Sequence, residues 1–165
     1  MIPNLEKLIE NFIEALKKHH GITIEKSEFI HECKFAPHDF PDLMPGKCAV
    51  YAFSLSRDNR SPAGANRALK VGKVGPNSGP RFKYQHYKSG SANSTLTGAI
   101  ENNKILWGYL GIEEGNVDFG NWLKTNSDRD HFFLDSSQME ILSLLEVYIR
   151  GILGPIFEGS LKKHM

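Results

Sequence analysis

The stretch that decides the fold runs from Cys48 to Tyr87: CAVYAFSL at 48–55, a polar loop, LKVGKVG at 69–75, a Gly/Pro turn, then RFKYQHY at 81–87. Val50–Leu55 and Leu69–Val74 have the apolar, β-branched and aromatic content of short strands. Their direct succession predicts an antiparallel pair. Each run carries one group able to face a cleft, Tyr51 and Lys70, and Arg81 opens a helix predicted over Arg81–Lys88. Gly72 weakens the second strand and marks a close approach by another backbone or a ligand. A tyrosine, a lysine and an arginine gathered this way suit a phosphate better than an apolar ligand.

Charge agrees with that reading. Between Arg57 and Lys88, eight basic residues (Arg57, Arg60, Arg67, Lys70, Lys73, Arg81, Lys83, Lys88) face one acid, Asp58. The stretch therefore carries +7 in a chain of 165 residues whose net charge is +1. A basic field this local is the footprint of a polyanion site. The loop from Arg57 to Ala68 exceeds what a tight hairpin needs, which suits a contact loop. No apolar run has the length of a membrane span, and the first residues lack signal-peptide order. Cys33 and Cys48 make no disulfide framework, so the expected compartment is the reducing cytoplasm. His31, Cys33 and His38 lack the second paired cluster that a zinc site of finger type needs.

Outward from this stretch, Leu5, Leu8, Ile9, Phe12, Ile13 and Leu16 fall on one face of a helix over residues 5–16, with Asn4 as N-cap and Gly21 as stop. That helix either docks on the core or offers a face to a second copy or a protein partner. Ile22–Ile24 and Phe29–Ile30 read as strand pieces before a proline-rich connection, so residues 1–47 read as an extension and 48–165 as the main domain. Further on, Ser94 and Asn116 are expected to cap helices, Leu106–Ile112 is strand or helix, and Asp130–Leu134 is a third strand. Ser137-x-x-Glu140 has the spacing of a capping box before a helix to Leu153. The apolar stripe of that helix is Ile141, Leu142, Leu145, Tyr148, Ile149 and Ile152. Glu146 falls on its margin, either as a structural ion pair or as a group reaching a cleft.

Taken in order, Ala49-Val50-Tyr51, Lys70-Val71-Gly72, Arg81, Leu145-Glu146 and Pro155-Ile-Phe-Glu158-Gly159 resemble the GIY-YIG nuclease superfamily over residues 48–159. The resemblance implies a small α/β (α+β) domain with a three-stranded antiparallel sheet flanked by helices, here with an N-terminal helical extension. It also implies cleavage of DNA, double-stranded by expectation, with one Mg²⁺ or Mn²⁺. By position, Tyr51 is similar to the first-motif tyrosine beside the attacking water, Arg81 to the arginine at the scissile phosphate, and Glu146 to the carboxylate that binds the metal. The sequence departs from the pattern at three places. Lys70 replaces the second-motif tyrosine, a substitution similar to that in some restriction-type members. The usual histidine falls at Gln85 with His86 one place on, and Glu158 stands for the late asparagine.

The chemistry expected of these residues is phosphodiester hydrolysis. Arg81 offers a planar, permanently charged fork to the nonbridging oxygens. Tyr51 or Lys70 is the base, with unperturbed pKa values of about 10 and 10.4. The field of Lys70, Arg81 and a metal is expected to lower both, leaving Lys70 mainly as a cation beside Tyr51. His86 either assists proton transfer or contacts a phosphate. Lys73, Lys83, Tyr84 and Lys88, with Arg57, Arg60 and Arg67, are expected to hold the nucleic-acid backbone. The alternative is a module that binds nucleic acid without cutting it, recruited through its N-terminal helix.

Overall fold

The computed structural model describes residues 4–56, 68–88 and 95–157. In chain order the elements are α1 (Leu5–His20), β1 (Ile30–Lys34), β2 (Lys47–Leu55), β3 (Ala68–Val74), α2 (Gly79–Tyr84), α3 (Leu96–Asn102), α4 (Trp107–Leu110), α5 (Phe119–Asn126), β4 (Ser127–Asp135) and α6 (Met139–Leu153). The strands form one antiparallel sheet in the order β1-β4-β2-β3. None of the described helices is long and apolar enough to cross a membrane.

β2 is central because both its faces are covered. Cys48, Val50 and Ala52 face a core shared with α1 and α6, through Leu8, Phe12, Leu142 and Leu145 among others. Ala49, Tyr51, Phe53 and Leu55 face the opposite core, built with Phe82, Tyr87, Leu96 and Leu123. A strand buried on both sides reads as a continuous apolar run rather than an alternation, which is why 48–55 stands out in the sequence.

Four strands replace the three expected. The extra one, β1, comes from the N-terminal 47 residues and joins the far side of β4, with Ile30 opposite Phe133 and Lys34 opposite Arg129. IHECK has no apolar run, because an edge strand half open to water needs none. The N-terminal segment thus completes the sheet, and the apolar face of α1 lies in the molecule's own core. Only the polar face of that helix is left for a partner.

Several local expectations shift. Thr95 and Asp118 cap α3 and α5, each accepting a backbone N–H at 3.0 Å; Asn116 is not the cap, and Ser94 lies outside the described residues. Asn4 makes no side-chain cap bond. The capping box does not form, because the Ser137 hydroxyl and N–H both donate to Asp135 Oδ1 in a local turn (2.8 and 3.0 Å). Residues Trp107–Leu110 are helical. Ile152 is 54% exposed, because it lies in the last turn of α6, beyond the buried Ile149.

β3 is the other edge strand, and its two ends are treated differently. The chain after α6 covers its start: Ile156 N–H donates to Ala68 O and Phe157 N–H to Leu69 O (3.0 and 2.8 Å). From Lys70 to Gly75 the same strand lines a cleft.

Candidate functional site

The cleft has a volume of about 470 Å³ and wraps the open edge of β3. Alternation along β3 sends Lys70 and Gly72 to the α2 side of the sheet, with Tyr51, and Lys73 to the α6 side. Arg81 and Gln85 enter from α2 and the turn after it, Glu146 and Arg150 from α6. Tyr51, Lys70, Arg81, His86 and Glu146, expected to act together, all line this one space.

Tyr51 lies across the backbone of Gly72, its cross-strand partner. A methyl group on Gly72 would collide with the tyrosine hydroxyl and ring, so the close approach read from this glycine is made by a side chain. His86, 2% exposed, fixes the hydroxyl: its Nε2 lies 2.6 Å from Tyr51 Oη. Its Nδ1 accepts the Leu96 N–H at 3.1 Å. Burial, then Lys70, Arg129 and Arg81, hold His86 well below the ordinary histidine pKa. The ring is therefore neutral with its proton on Nε2, assigned from the Leu96 bond. His86 donates to Tyr51 and has no site left to take a proton, so it positions the tyrosine rather than acting as a base. Tyr51 must direct its own proton elsewhere, toward the cleft.

The two base candidates shift in opposite directions. Burial pushes Tyr51 up to about 12, against the pull of Arg129 and Arg81. Burial, then Arg150 and Arg81, pushes Lys70 down. The expectation that local cations lower both fails for Tyr51, because a phenolate so far from water costs more than those cations return. Lys70 is 6% exposed and, among the described residues, has no carboxylate at ion-pair distance.

Glu146, its side chain 13% exposed, has both oxygens engaged: Arg150 at 2.9 Å on Oε1 and Lys73 at 3.3 Å on Oε2. Lys73 also donates to Ser143 Oγ at 2.8 Å, and Arg150 to Val71 O at 3.4 Å. Arg81 donates Nε–H to Gln85 Oε1 at 2.6 Å, leaving the far end of its fork free for an anion. Among the described residues, four cations thus line the cleft with one carboxylate, and two of them contact it. Among the described residues no three His, Cys, Asp or Glu side chains converge as a metal site. One carboxylate in so positive a cleft is a poor host for a bare dication. It fits Mg²⁺ or Mn²⁺ arriving with a phosphate, which supplies the missing oxygens and negative charge.

The remaining expected contacts divide. Tyr84 is exposed on the outer face of α2, with the ammonium groups of Lys83 and Lys88 5.5 and 5.4 Å from its ring centre. Lys83 is also paired with Asp42 at 2.8 Å. Arg57, Arg60, Arg67 and Glu158 lie outside the described residues.

Two residues escaped the sequence reading. Arg150 was legible in principle, being one helical turn after Glu146. Arg129 had no local signal. It is fully buried on β4, 4.4 to 5.8 Å from the ring centres of Phe82, Phe53, Tyr51 and Tyr87. It donates to Phe82 O at 2.7 Å and Tyr87 Oη at 3.2 Å.

The chain matches no family model, no curated protein and no solved structure.

Proposed function

We propose that the cleft hydrolyses phosphodiester bonds in DNA. The observation that carries the reading is the gathering of Lys70, Lys73, Arg81 and Arg150 around Tyr51 and a single carboxylate, at the open edge of β3. Arg81 clamps the nonbridging oxygens with a bidentate fork. Lys70 takes the proton of the attacking water, because its amine is the one group here whose neutral form is brought closer to working pH. Tyr51, held by His86, donates its hydroxyl proton to that water or to a phosphate oxygen and fixes the line of attack. Glu146 would hold the Mg²⁺ or Mn²⁺, which when bound supplies Lewis-acid stabilisation of charge on the leaving oxygen.

A second reading is a binding module of the same fold without catalysis. It draws on the Glu146 clamp, since a carboxylate held by Lys73 and Arg150 also serves as a plain structural ion pair. Incubation with supercoiled, linear, single-stranded and branched DNA separates the two. Cleavage with Mg²⁺ that stops in EDTA supports the nuclease; salt-sensitive binding to DNA with no cleavage under either condition supports the module.

A further inference from the structure

A second cavity, of about 610 Å³, lies in the segment between β1 and β2. Phe35, Pro37, Phe40 and Pro41 supply apolar walls, and Glu32, Asp39 and Asp42 line it with carboxylates, of which Glu32 pairs with Lys34 and Asp42 with Lys83. This segment is fastened to α2 and the turn after it. Asp42 accepts from Lys83 at 2.8 Å, His38 Nε2 lies 2.8 Å from Tyr87 Oη, and the Phe40 ring centre is 5.1 Å from both Tyr84 and Tyr87. The segment that lines the cavity therefore packs beside the helix that carries Arg81.

Beside the cavity lies a rim of aromatic and cationic groups, of which Phe35 and Phe40 also line the cavity. Phe40 and Tyr84 are 38% and 37% exposed, and Phe35 is 59% exposed. Lys124 Nζ lies 4.9 Å from the Phe40 ring centre, and Lys83 and Lys88 flank Tyr84. Exposed rings fringed by ammonium groups are what a nucleotide meets on proteins that hold single strands: the ring stacks on the base, the lysines take the phosphates. Arg81, turned to the cleft, and Tyr84, on the outer face, are three residues apart on α2 and therefore neighbours, about 5–6 Å between their Cβ atoms. A nucleotide with its phosphate at Arg81 has a neighbouring base within reach of that rim.

We propose that the Phe40–Tyr84 patch beside this cavity is a subsite for an unpaired nucleobase next to the phosphate held by Arg81; the inference rests on the nuclease reading. A paired base has both faces covered inside the duplex, so only an unpaired one can stack on these rings. The Asp39 carboxylate accepts hydrogen bonds, which suits a base bearing an exocyclic amino group. The preferred substrate is accordingly a duplex with a single-stranded branch beside the cut.

The test is binding in EDTA to two labelled DNAs, a blunt duplex and the same duplex carrying a flap with 2-aminopurine at its first unpaired position. Wild type is expected to bind the flapped DNA about tenfold tighter, with quenching of the 2-aminopurine as it stacks. Phe40→Ala should lose most of that preference and the quenching, while Phe40→Trp keeps both. If thermal melting shows that Phe40→Ala does not fold, Phe40→Leu removes the ring and keeps the apolar bulk. Equal binding of both DNAs by wild type without quenching, or an equal loss on both in the Phe40 variant, overturns the subsite and leaves the nuclease reading standing. Failure of wild type to bind either DNA overturns both.

Discussion

Arg129 and Lys70 are two cations that the same sheet removes from water, and the sheet treats them differently. Arg129 is enclosed by four aromatic rings; its two terminal nitrogens donate to a backbone carbonyl and a tyrosine hydroxyl, and its buried Nε has no partner among the described residues. Lys70 sits two residues into β3 on the wall of a cleft, without a carboxylate partner among the described residues. The first arrangement meets most of the charge inside the protein, with four rings and two oxygen acceptors. The second leaves it to whatever enters the cleft. Burial alone, even with an unpartnered donor, therefore does not mark a functional cation; burial on the wall of an open cavity does.

Experiments can break this contrast. Glu146→Gln is expected to remove cleavage altogether, with little change in the denaturation midpoint, because the amide keeps the shape but not the charge that holds a cation. If instead stability falls and Mg²⁺-dependent cleavage persists, Glu146 belongs with Arg129 as a structural group.

Lys70→Met is expected to lower turnover by about 10²–10⁴-fold with DNA affinity little changed, since the lysine moves a proton more than it holds the backbone. The sign of the pH effect follows from its lowered pKa. As pH rises, the folded protein releases the Lys70 proton before the unfolded chain does. Cleavage should therefore rise with pH through that window, and the fold should gain stability over the same range. Both slopes should vanish in Lys70→Met, and the rate limb should survive in Tyr51→Phe. A limb that disappears with Tyr51 instead would make the tyrosine the base and Lys70 a plain cation.

Arg129→Ala is expected to cost about 3 kcal/mol in urea denaturation, from the cavity and the orphaned acceptors. Arg129→Met, which keeps an apolar stem among the rings, should cost less. An Arg129→Met protein with wild-type stability but no cleavage would move this residue into the functional set.

The smallest effects belong to the outer lysines. DNA affinity should fall steeply between low and physiological salt, and Lys88→Ala should reduce the slope of log affinity against log salt by about 1. Lys83→Ala should reduce it less, because Asp42 already holds part of that charge. A flat salt response would argue against a polyanion partner.

The paired strands around Tyr51 and Lys70, the place of Arg81 at a helix start and of Glu146 on a helix margin, and the close approach at Gly72 were all legible in the chain. Each depends on neighbours a few residues apart: strand alternation, a helix margin, a glycine inside a strand. The local period carries that information. Other features depend on segments that meet only after folding. β1 pairs with β4 across roughly a hundred residues, and no apolar run announces an edge strand. The rings around Arg129 come from β2, α2 and the turn after it. Tertiary structure also set the direction of each pKa. Tyr51 and Lys70 are close in the folded sheet and meet the same Arg81, yet burial disfavours the charged form of each, raising the phenol and lowering the amine. The sequence by itself put these two groups on paired strands; that the amine, and not the phenol, is moved toward its neutral, proton-accepting form follows from the burial that only the fold supplies.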